Sequence, residues 1–261
     1  ASTIDAEGNM NLAPFSFFNA IGSNPPMVIF SPARSGRDNT TKHTLDNADA
    51  MKEVVINIVN YPIVQQMSLA SSAYPKGVNE FVKAGLTPIP SELVKPFRVK
   101  ESIVQMECKV RDIIRTGETG GAGNIIICEI VLMHIDESIL DENGRPDPYK
   151  MDLVARMGGE YYCRVIPESI FALAQPKDGS ALGIDKLPEY IRNSSILTGN
   201  NLGQLGVFAH HPTKEEVEAI AHLMRHHMSW QEIELQAKIL IDKGEAWEGF
   251  KVLMLKSYQL V

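Results

Sequence analysis

Two long segments of β type constrain the fold of this chain more than any other feature. They cover residues 97–115 and 124–134, and a glycine-rich passage at 116–123 separates them. Both segments are dense in β-branched and other apolar residues, which favour strands over helices. A turn sequence between two such segments predicts a hairpin of long strands. The glycines do not form a dinucleotide-binding motif, because no helix begins after them.

Shorter elements are predicted before this hairpin. Residues 2–5 followed by the turn Glu7-Gly8-Asn9 predict a strand that enters a hairpin. Apolar and β-branched runs predict two more strands, at 27–32 and 54–59. Capping signals and helical spacing predict short helices at 45–52, 62–72 and 79–84. The first two thirds of the chain are therefore expected to be mainly β with a few helices.

The last fifty residues change to a helical pattern. Thr213 with Glu216 and Ser229 with Glu232 have the spacing of two capping boxes, and an apolar stripe follows each. The stripes are Val217, Ile220, Ala221, Met224 and Met228, and then Ile233, Ala237, Leu240 and Ile241, which Gly244 ends. Such stripes need cover, either from the β-rich part or from a second subunit. We therefore expect a homodimer that is built partly from this tail.

Composition excludes several classes of protein. The chain has 261 residues, with 25 Lys and Arg against 32 Asp and Glu, a net charge of −7, so no nucleic-acid partner is expected. The longest apolar stretch is interrupted by Glu129 and is shorter than the roughly 20 residues that span a bilayer, so no membrane association is predicted. No signal peptide is recognisable, and the three cysteines, Cys108, Cys128 and Cys163, are expected to be buried thiols. These features predict a cytoplasmic protein.

Histidines do not point to a metal site. His222 and His226 have the i, i+4 spacing that can hold a metal on one helix, but no HExxH glutamate accompanies them. A solvated helix face is the preferred interpretation. His134 lies in a β-type segment and is interpreted as an ordinary strand residue or as a neighbour of a ligand pocket. No arrangement of Ser, His and Asp or of Cys and His predicts nucleophilic catalysis.

Two neighbouring passages carry the chemistry that the sequence does predict. The first is Asn11-Leu12-Ala13-Pro14-Phe15-Ser16, whose small side chains and open backbone groups suit the edge of a flat heteroaromatic ring. The second is the loop 34–47, where cations and hydroxyls precede a predicted helix and suit a phosphate monoester. A solvated loop in which Thr44 caps the helix is the alternative for this second passage.

These passages resemble the flavin reductase-like family of FMN-binding split-barrel proteins, which includes the flavoredoxins. The resemblance rests on Ser2-Thr3-x-Asp5-x-x-Gly8-x-x-Asn11-Leu12-Ala13-Pro14-Phe15-Ser16, on the strand that ends in Ser31, and on Lys42-x-Thr44-Leu45-x-Asn47. Leu153-Val154-Ala155-Arg156-Met157-Gly158-Gly159 with Tyr161 or Tyr162 matches a further block. The resemblance implies a Greek-key split β-barrel over 1–175, with an incomplete N-terminal strand. A connector and a helical C-terminal extension then occupy 176–261.

The resemblance also implies a cofactor and the residues that bind it. Backbone groups of Asn11, Leu12, Ala13, Pro14, Phe15 and Ser16 would hold the flavin ring of FMN, and Ser31 would lie beside it. Arg37, Lys42 and Thr44 would hold the phosphate, with Arg34 as the alternative to Arg37. The implied activity is NADH- or NADPH-dependent reduction of flavin or another small acceptor, in a homodimer, with a monooxygenase as a possible partner.

Two rival functions stay open at this point. Many flavin reductases of the family carry Gly-Asp-His where this chain has Ala122-Gly123-Asn124, and that His helps to bind nicotinamide. Its replacement favours an FMN-binding electron carrier or binding protein without efficient NADH or NADPH oxidation. The other rival is a structural dimer with a vestigial flavin site.

Overall fold

Strands dominate residues 1–171 in the computed structural model of the protein, which describes residues 1–173, 175–176, 179–222 and 228–261. The strands are β1 (Ser2–Ile4), β2 (Met10–Leu12), β3 (Phe18–Ser23), β4 (Pro26–Phe30), β5 (Glu53–Asn57), β6 (Pro88–Ile89), β7 (Arg98–Val99), β8 (Val104–Arg115), β9 (Asn124–Ile135), β10 (Val154–Gly158) and β11 (Tyr161–Arg164). The helices between them are α1 (His43–Met51), α2 (Val64–Ala70), α3 (Glu80–Ala84) and α4 (Pro148–Met151). Shorter 3₁₀ turns are at Tyr61–Ile63, Glu137–Ile139 and Pro167–Ser169.

Seven of the strands form one antiparallel sheet in the order β2-β1-β5-β8-β9-β4-β3. The predicted long hairpin is its centre, because β8 and β9 pair from Val104 with Ile135 to Arg115 with Asn124. The pairs β6-β7 and β10-β11 form separate two-stranded sheets. The hairpin and the predicted strands at 2–5, 27–32 and 54–59 are therefore confirmed.

The segment predicted as one strand from residue 97 is broken at residues 100–103. Ser102 turns the chain there: its N–H donates to Val99 O, and its hydroxyl lies 2.8 Å from both Ile58 O and Val104 O. Gln105 also donates its side-chain amide to Val99 O and Ser102 O. These local bonds compete with sheet pairing, so β7 pairs with β6 and only β8 joins the large sheet.

A continuous apolar core lies against the large sheet and includes α1. Val54, Ile56, Met106 and Ile126 belong to one buried cluster with side chains from β4 and with Leu45 and Ala48 of α1. A second cluster packs α2 and α3 against Leu12 of β2 and Val99 of β7. These contacts pack α1 on the large sheet, and α2 and α3 against β2 and β7.

Residues Ala172–Val261 form a second compact unit. It contains a 3₁₀ turn at Ile184–Lys186 and the helices α5 (Glu189–Arg192), α6 (Gly199–Gly206), α7 (Lys214–Ala221), α8 (Trp230–Asp242) and α9 (Ala246–Met254). Both predicted capping boxes are present, at the start of α7 and of α8. In the described residues, no helix is both long enough and apolar enough to cross a membrane.

The helical unit covers its own apolar stripes. From the sequence, this cover was expected to come from the β-rich part or from a second subunit. Val217, Ile233, Ala237 and Ile241 are buried in one cluster with side chains of α9 such as Phe250. α9 supplies the missing face, so these stripes do not need a second subunit to cover them. The homodimer expected from this tail stays a prediction. Met224 lies outside the described residues.

Candidate functional site

An open cleft of about 900 Å³ lies in the β-rich unit, next to the segment that follows β2. Most of its lining comes from four parts of the chain: the segment after β2, the end of β5 with the residues that follow it, one side of α2, and the β10-β11 hairpin with the residue before it. The other lining residues are Ala1, Phe18 of β3, Phe30 of β4 and Lys42 at the start of α1. The lining residues are Ala1, Ala13, Pro14, Phe15, Ser16, Phe18, Phe30, Lys42, Ile56, Asn57, Ile58, Val59, Met67, Ser68, Ser71, Leu153, Val154, Ala155, Arg156, Gly159, Glu160 and Tyr162. The cleft thus combines apolar walls with a few charged and hydroxyl groups, as small-molecule sites do.

The segment after β2, which lines this cleft, has unpaired backbone donors. Strand pairing ends at Leu12, and in the described residues the N–H groups of Phe15 and Ser16 have no hydrogen-bond acceptor. The Phe15 ring packs behind them, with its centroid 5.3 Å from that of the buried Phe30. A flat ligand with carbonyl and nitrogen acceptors at its edge can use such donors, and the phenyl ring fixes their position.

The start of α1 supplies positive potential to the same cleft. Lys42 is the N-cap residue, its side chain is exposed, and it lines the cleft. In the part of the chain that the structure describes, the first-turn N–H groups of His43 and Thr44 have no acceptor. Free N–H groups at a helix start, beside a lysine, are suited to an anion such as a phosphate.

The two arginines of the loop differ in their availability. Arg34 is held inside the loop, with Nε 2.8 Å from Asn39 Oδ1 and a terminal guanidinium nitrogen 2.6 Å from Asn39 O. Arg37 is exposed, its guanidinium has no partner among the described residues, and it does not line the cleft. Asp38, beside it, has its pKa lowered to about 2 by hydrogen bonds from Ser35 and Thr40. Arg37 is therefore the available cation of the two, with a carboxylate next to it.

A buried polar network joins the two predicted passages. Asn11 Nδ2 donates to Thr44 Oγ1 at 2.9 Å and to Thr3 Oγ1 at 3.1 Å, and Asn47 Nδ2 donates to the same Thr3 oxygen. Thr44 is buried within α1, so it does not cap the helix as the alternative interpretation expected. The network fixes the segment after β2 relative to the start of α1.

Five of the ten predicted site residues line the cleft and five do not. Ala13, Pro14, Phe15, Ser16 and Lys42 line it. The other five are Asn11 and Thr44 in the buried network, Leu12 in a small neighbouring apolar pocket, the exposed Arg37, and Ser31.

Ser31 and Asn124 are tied to each other away from the cleft lining. Ser31 Oγ accepts a hydrogen bond from the backbone N–H of Asn124 at 3.1 Å. The Asn124 side chain is buried and donates to Pro32 O at 2.8 Å, while its Oδ1 has no partner in the described residues. The Asn124 side-chain amide thus points into the protein.

The remaining titratable candidates lie elsewhere. His134 Nε2 is 2.7 Å from Glu107 Oε1, and His134 does not line the cleft. Desolvation by burial raises the pKa of the Cys108 thiol and raises that of Cys128 to about 12. Cys163 is exposed, contrary to expectation, because β11 pairs only with β10 and has no layer over it.

No group of three His, Cys, Asp or Glu residues in the described ranges is arranged to hold a metal ion. His226, the second histidine of the i, i+4 pair, lies outside those ranges.

Sequence reasoning missed the wall that α2 and the β10-β11 hairpin form. Ser68 comes from α2 and Ser71 directly follows it, and Arg156, Glu160 and Tyr162 come from the hairpin. The block 153–159 stands out in the sequence only through its resemblance to the family, and nothing local to it indicates that it faces residues 13–16. The pairing of Asn60 with Leu153 brings the two parts together, and that contact is distant in sequence.

Comparisons with known proteins agree with this architecture. Residues 1–152 match the family described as flavin reductase like domain, and the chain belongs to that family. A structure of nitrilotriacetate monooxygenase component B from Bacillus cereus is 29% identical, with a TM-score of 0.61 over 66% of this chain and 84% of the other. A Shewanella frigidimarina protein with a split barrel domain is 29% identical, with a TM-score of 0.57 over 66% of this chain and 83% of the other.

A relative from Aquifex aeolicus, described as an uncharacterized protein, is 38% identical over 167 residues, which are 64% of this chain and 83% of that protein. The predicted fold class, a mainly β split barrel with a C-terminal helical extension, is confirmed.

Proposed function

We propose that this chain is an FMN-binding oxidoreductase that uses NADH or NADPH to reduce flavin or another small acceptor. One observation carries the proposal: a single cleft contains the free N–H groups of Phe15 and Ser16 and also Lys42 at the open start of α1. The first group of donors matches the polar edge of a flavin ring. The second matches a phosphate, which distinguishes FMN from riboflavin.

In this proposal, the residues of the cleft bind and orient the cofactor. Phe15 and Ser16 donate to the ring edge, Phe30 supports Phe15 from the core, and Lys42 pairs with the phosphate. Bound FMN would supply the hydride-transfer chemistry, so no acid or base from the protein is required for that step. The apolar walls at Ile58 and Val59 exclude water from one side of the cleft.

A second function, FMN binding without efficient oxidation of NADH or NADPH, is supported by Asn124. Its side chain is buried and donates to Pro32 O, so it is not placed to contact a nicotinamide. In that case the protein would exchange electrons with another carrier.

We also propose that the protein is a homodimer in which the second copy covers the mouth of the cleft. Phe17, Met157 and Tyr161, on the elements that form its walls, are 68%, 68% and 77% exposed. Apolar exposure of this extent, next to a site, is typical of an interaction surface. Light scattering that finds only monomers at micromolar concentration contradicts this assignment. The similarity to a monooxygenase component B supports a monooxygenase as a further partner.

Stopped-flow absorbance of the FMN-loaded protein tests the two functions against each other. Mixing with NADH or with NADPH under anaerobic conditions is expected to bleach the flavin absorbance with at least one donor, on a timescale of seconds or faster. Tight FMN binding without bleaching by either donor overturns the reductase and supports the carrier. A protein that binds no FMN overturns both.

A further inference from the structure

Arg156 is a cation of the cleft wall, and the contacts proposed for the flavin do not include it. It lies on β10, directly across from Tyr162 on β11, and both residues line the cleft. Lys42 and the start of α1 already provide for a phosphate. The positive charge on the hairpin wall is therefore additional to the predicted FMN site.

The guanidinium of Arg156 is largely unpaired. One terminal nitrogen donates to Gly159 O at 3.0 Å, and among the described residues no carboxylate oxygen lies within 4 Å of it. Arginines of the same unit that form ion pairs within that distance are Arg98, Arg111, Arg115, Arg145 and Arg164. Since a guanidinium has five N–H donors, most of those of Arg156 are free to bind a ligand.

The hairpin holds Arg156 in place from its base. Leu153 pairs with Asn60, and Tyr61 donates its N–H to Asp152 O at 2.9 Å. Arg164 closes the base: it forms two hydrogen bonds with the Asp152 carboxylate and lies 3.7 Å from the centre of the Tyr61 ring. The strand that carries Arg156 is thus anchored next to the cleft, and the bond to Gly159 O is the contact that orients its side chain.

The cleft is large, and the contacts proposed for the flavin do not use its hairpin wall. Its volume of about 900 Å³ is near the upper end of the range of about 300–1,000 Å³ for sites that hold one drug-sized ligand. Around Arg156, the wall offers the ring of Tyr162 and the side chains of Val154 and Ala155, which suit a flat apolar body. Glu160 also lines this wall, so a ligand with more negative charge than Arg156 can pair with is disfavoured there.

We propose that Arg156 forms a subsite for the carboxylate of a flat aromatic acid, which shares the cleft with the flavin. An arginine fork binds a planar carboxylate through two parallel hydrogen bonds, and the adjacent Tyr162 ring contacts the aromatic body. This inference rests on the proposed flavin site. It deepens that site by assigning the chemical class of its second ligand.

Titration of the FMN-loaded full chain with benzoate and with benzamide tests the subsite, with the flavin absorbance spectrum as the readout. Benzoate is expected to perturb the spectrum and to bind at least tenfold more tightly than benzamide, which has the same shape without the charge. Arg156→Gln is expected to weaken benzoate by about 10- to 100-fold, in line with the loss of charge-assisted hydrogen bonds. It should leave benzamide and FMN affinities unchanged.

Two further variants sharpen the comparison. Glu160→Gln is expected to strengthen benzoate severalfold because a like charge is removed from the same wall. Arg145→Gln, an exposed arginine outside the cleft, is the matched control and should bind benzoate as the wild type does.

The outcomes separate this subsite from the flavin site. Equal affinities for benzoate and benzamide, with FMN bound normally, overturn only the subsite. Loss of FMN but not riboflavin affinity in Arg156→Gln also overturns it, because Arg156 then binds the cofactor phosphate. A selective loss of the reaction with NADPH, but not NADH, assigns Arg156 to the nucleotide and overturns the carboxylate assignment. A wild-type protein that binds no FMN overturns the proposed function and the subsite together.

Discussion

Glu107 is a fully buried carboxylate on β8 that fixes a loop of the β-rich unit. Its oxygens accept hydrogen bonds from the backbone N–H groups of Glu92, Leu93 and Val94 at 2.8, 2.6 and 3.2 Å. Desolvation by burial favours the neutral acid. The N–H donors of Glu92 and Leu93, together with His134, outweigh it and hold the pKa of Glu107 below its ordinary value of 4.5. The carboxylate therefore acts as a clamp for the loop.

This clamp predicts an acid-sensitive component of stability. Because the folded-state pKa is lowered, the stabilisation is fully present above the unfolded pKa of 4.5 and is lost as the pH falls through the folded value. Glu107→Gln is expected to lower the free energy of unfolding at pH 7 by about 2–4 kcal/mol, because the amide leaves backbone donors unpaired. The variant should also lose less stability than the wild type between pH 7 and pH 4.

Chemical denaturation of the full chain, followed by far-ultraviolet circular dichroism at both pH values, measures this effect. The exposed Glu142→Gln is the matched control and should follow the wild type. Equal pH dependence in Glu107→Gln and the wild type contradicts the role assigned to the clamp.

Helix packing in the C-terminal unit depends on one small residue. A Cβ atom at Gly249 of α9 would lie 2.6 Å from Ile241 Cγ1 and 2.8 Å from Ala237 O, both on α8. The backbone oxygen cannot move aside without bending the helix. The two helices therefore approach each other as closely as they do because position 249 lacks a side chain.

Gly249→Ala is expected to destabilise this unit by about 1–3 kcal/mol, although alanine is the better helix former. Gly203→Ala on α6 is the matched control: no heavy atom lies within 4 Å of its added Cβ, so it should be neutral or stabilising by about 0.5–1 kcal/mol. Both tryptophans of the chain, Trp230 and Trp247, are in this unit, so urea unfolding followed by their fluorescence reports on it. A stability gain in both variants contradicts the close approach.

At the scale of elements, local patterns predicted most of the fold. The long hairpin and the helices that begin after Thr213 and Ser229 follow from periodicity and capping, which are properties of neighbouring residues. The helix α6 was missed because its sequence, with three glycines and two asparagines, is a poor helix former. Its Thr198–Asn201 capping box and the burial of Leu205 stabilise it instead.

Only the part of the candidate site whose residues lie close together in the sequence could be predicted. Ala13 to Ser16 and Lys42 are in recognisable passages, and they line the cleft. The opposite wall, with Arg156 and Tyr162, depends on contacts between residues about ninety positions apart, such as Asn60 with Leu153. No periodicity or spacing in one sequence encodes such a contact.

The whole molecule consists of two units, Ala1–Phe171 and Ala172–Val261, and each has its own buried apolar cluster. The family match and the proposed flavin site both fall in the first unit. The apolar stripes of α7 and α8 are buried within the second unit itself. They therefore give no structural link between this unit and the flavin site. The proposed function therefore depends on the cleft of the β-rich unit.

The central claim is that this cleft binds FMN, with Lys42 at the phosphate. The most direct test compares FMN and riboflavin affinities, by flavin fluorescence, in the wild type and in Lys42→Ala, with the exposed Lys76→Ala as the matched control. We predict that Lys42→Ala weakens FMN about tenfold or more, leaves riboflavin unchanged, and that Lys76→Ala alters neither. Equal losses for both flavins in Lys42→Ala, or no flavin binding by the wild type, would contradict the account.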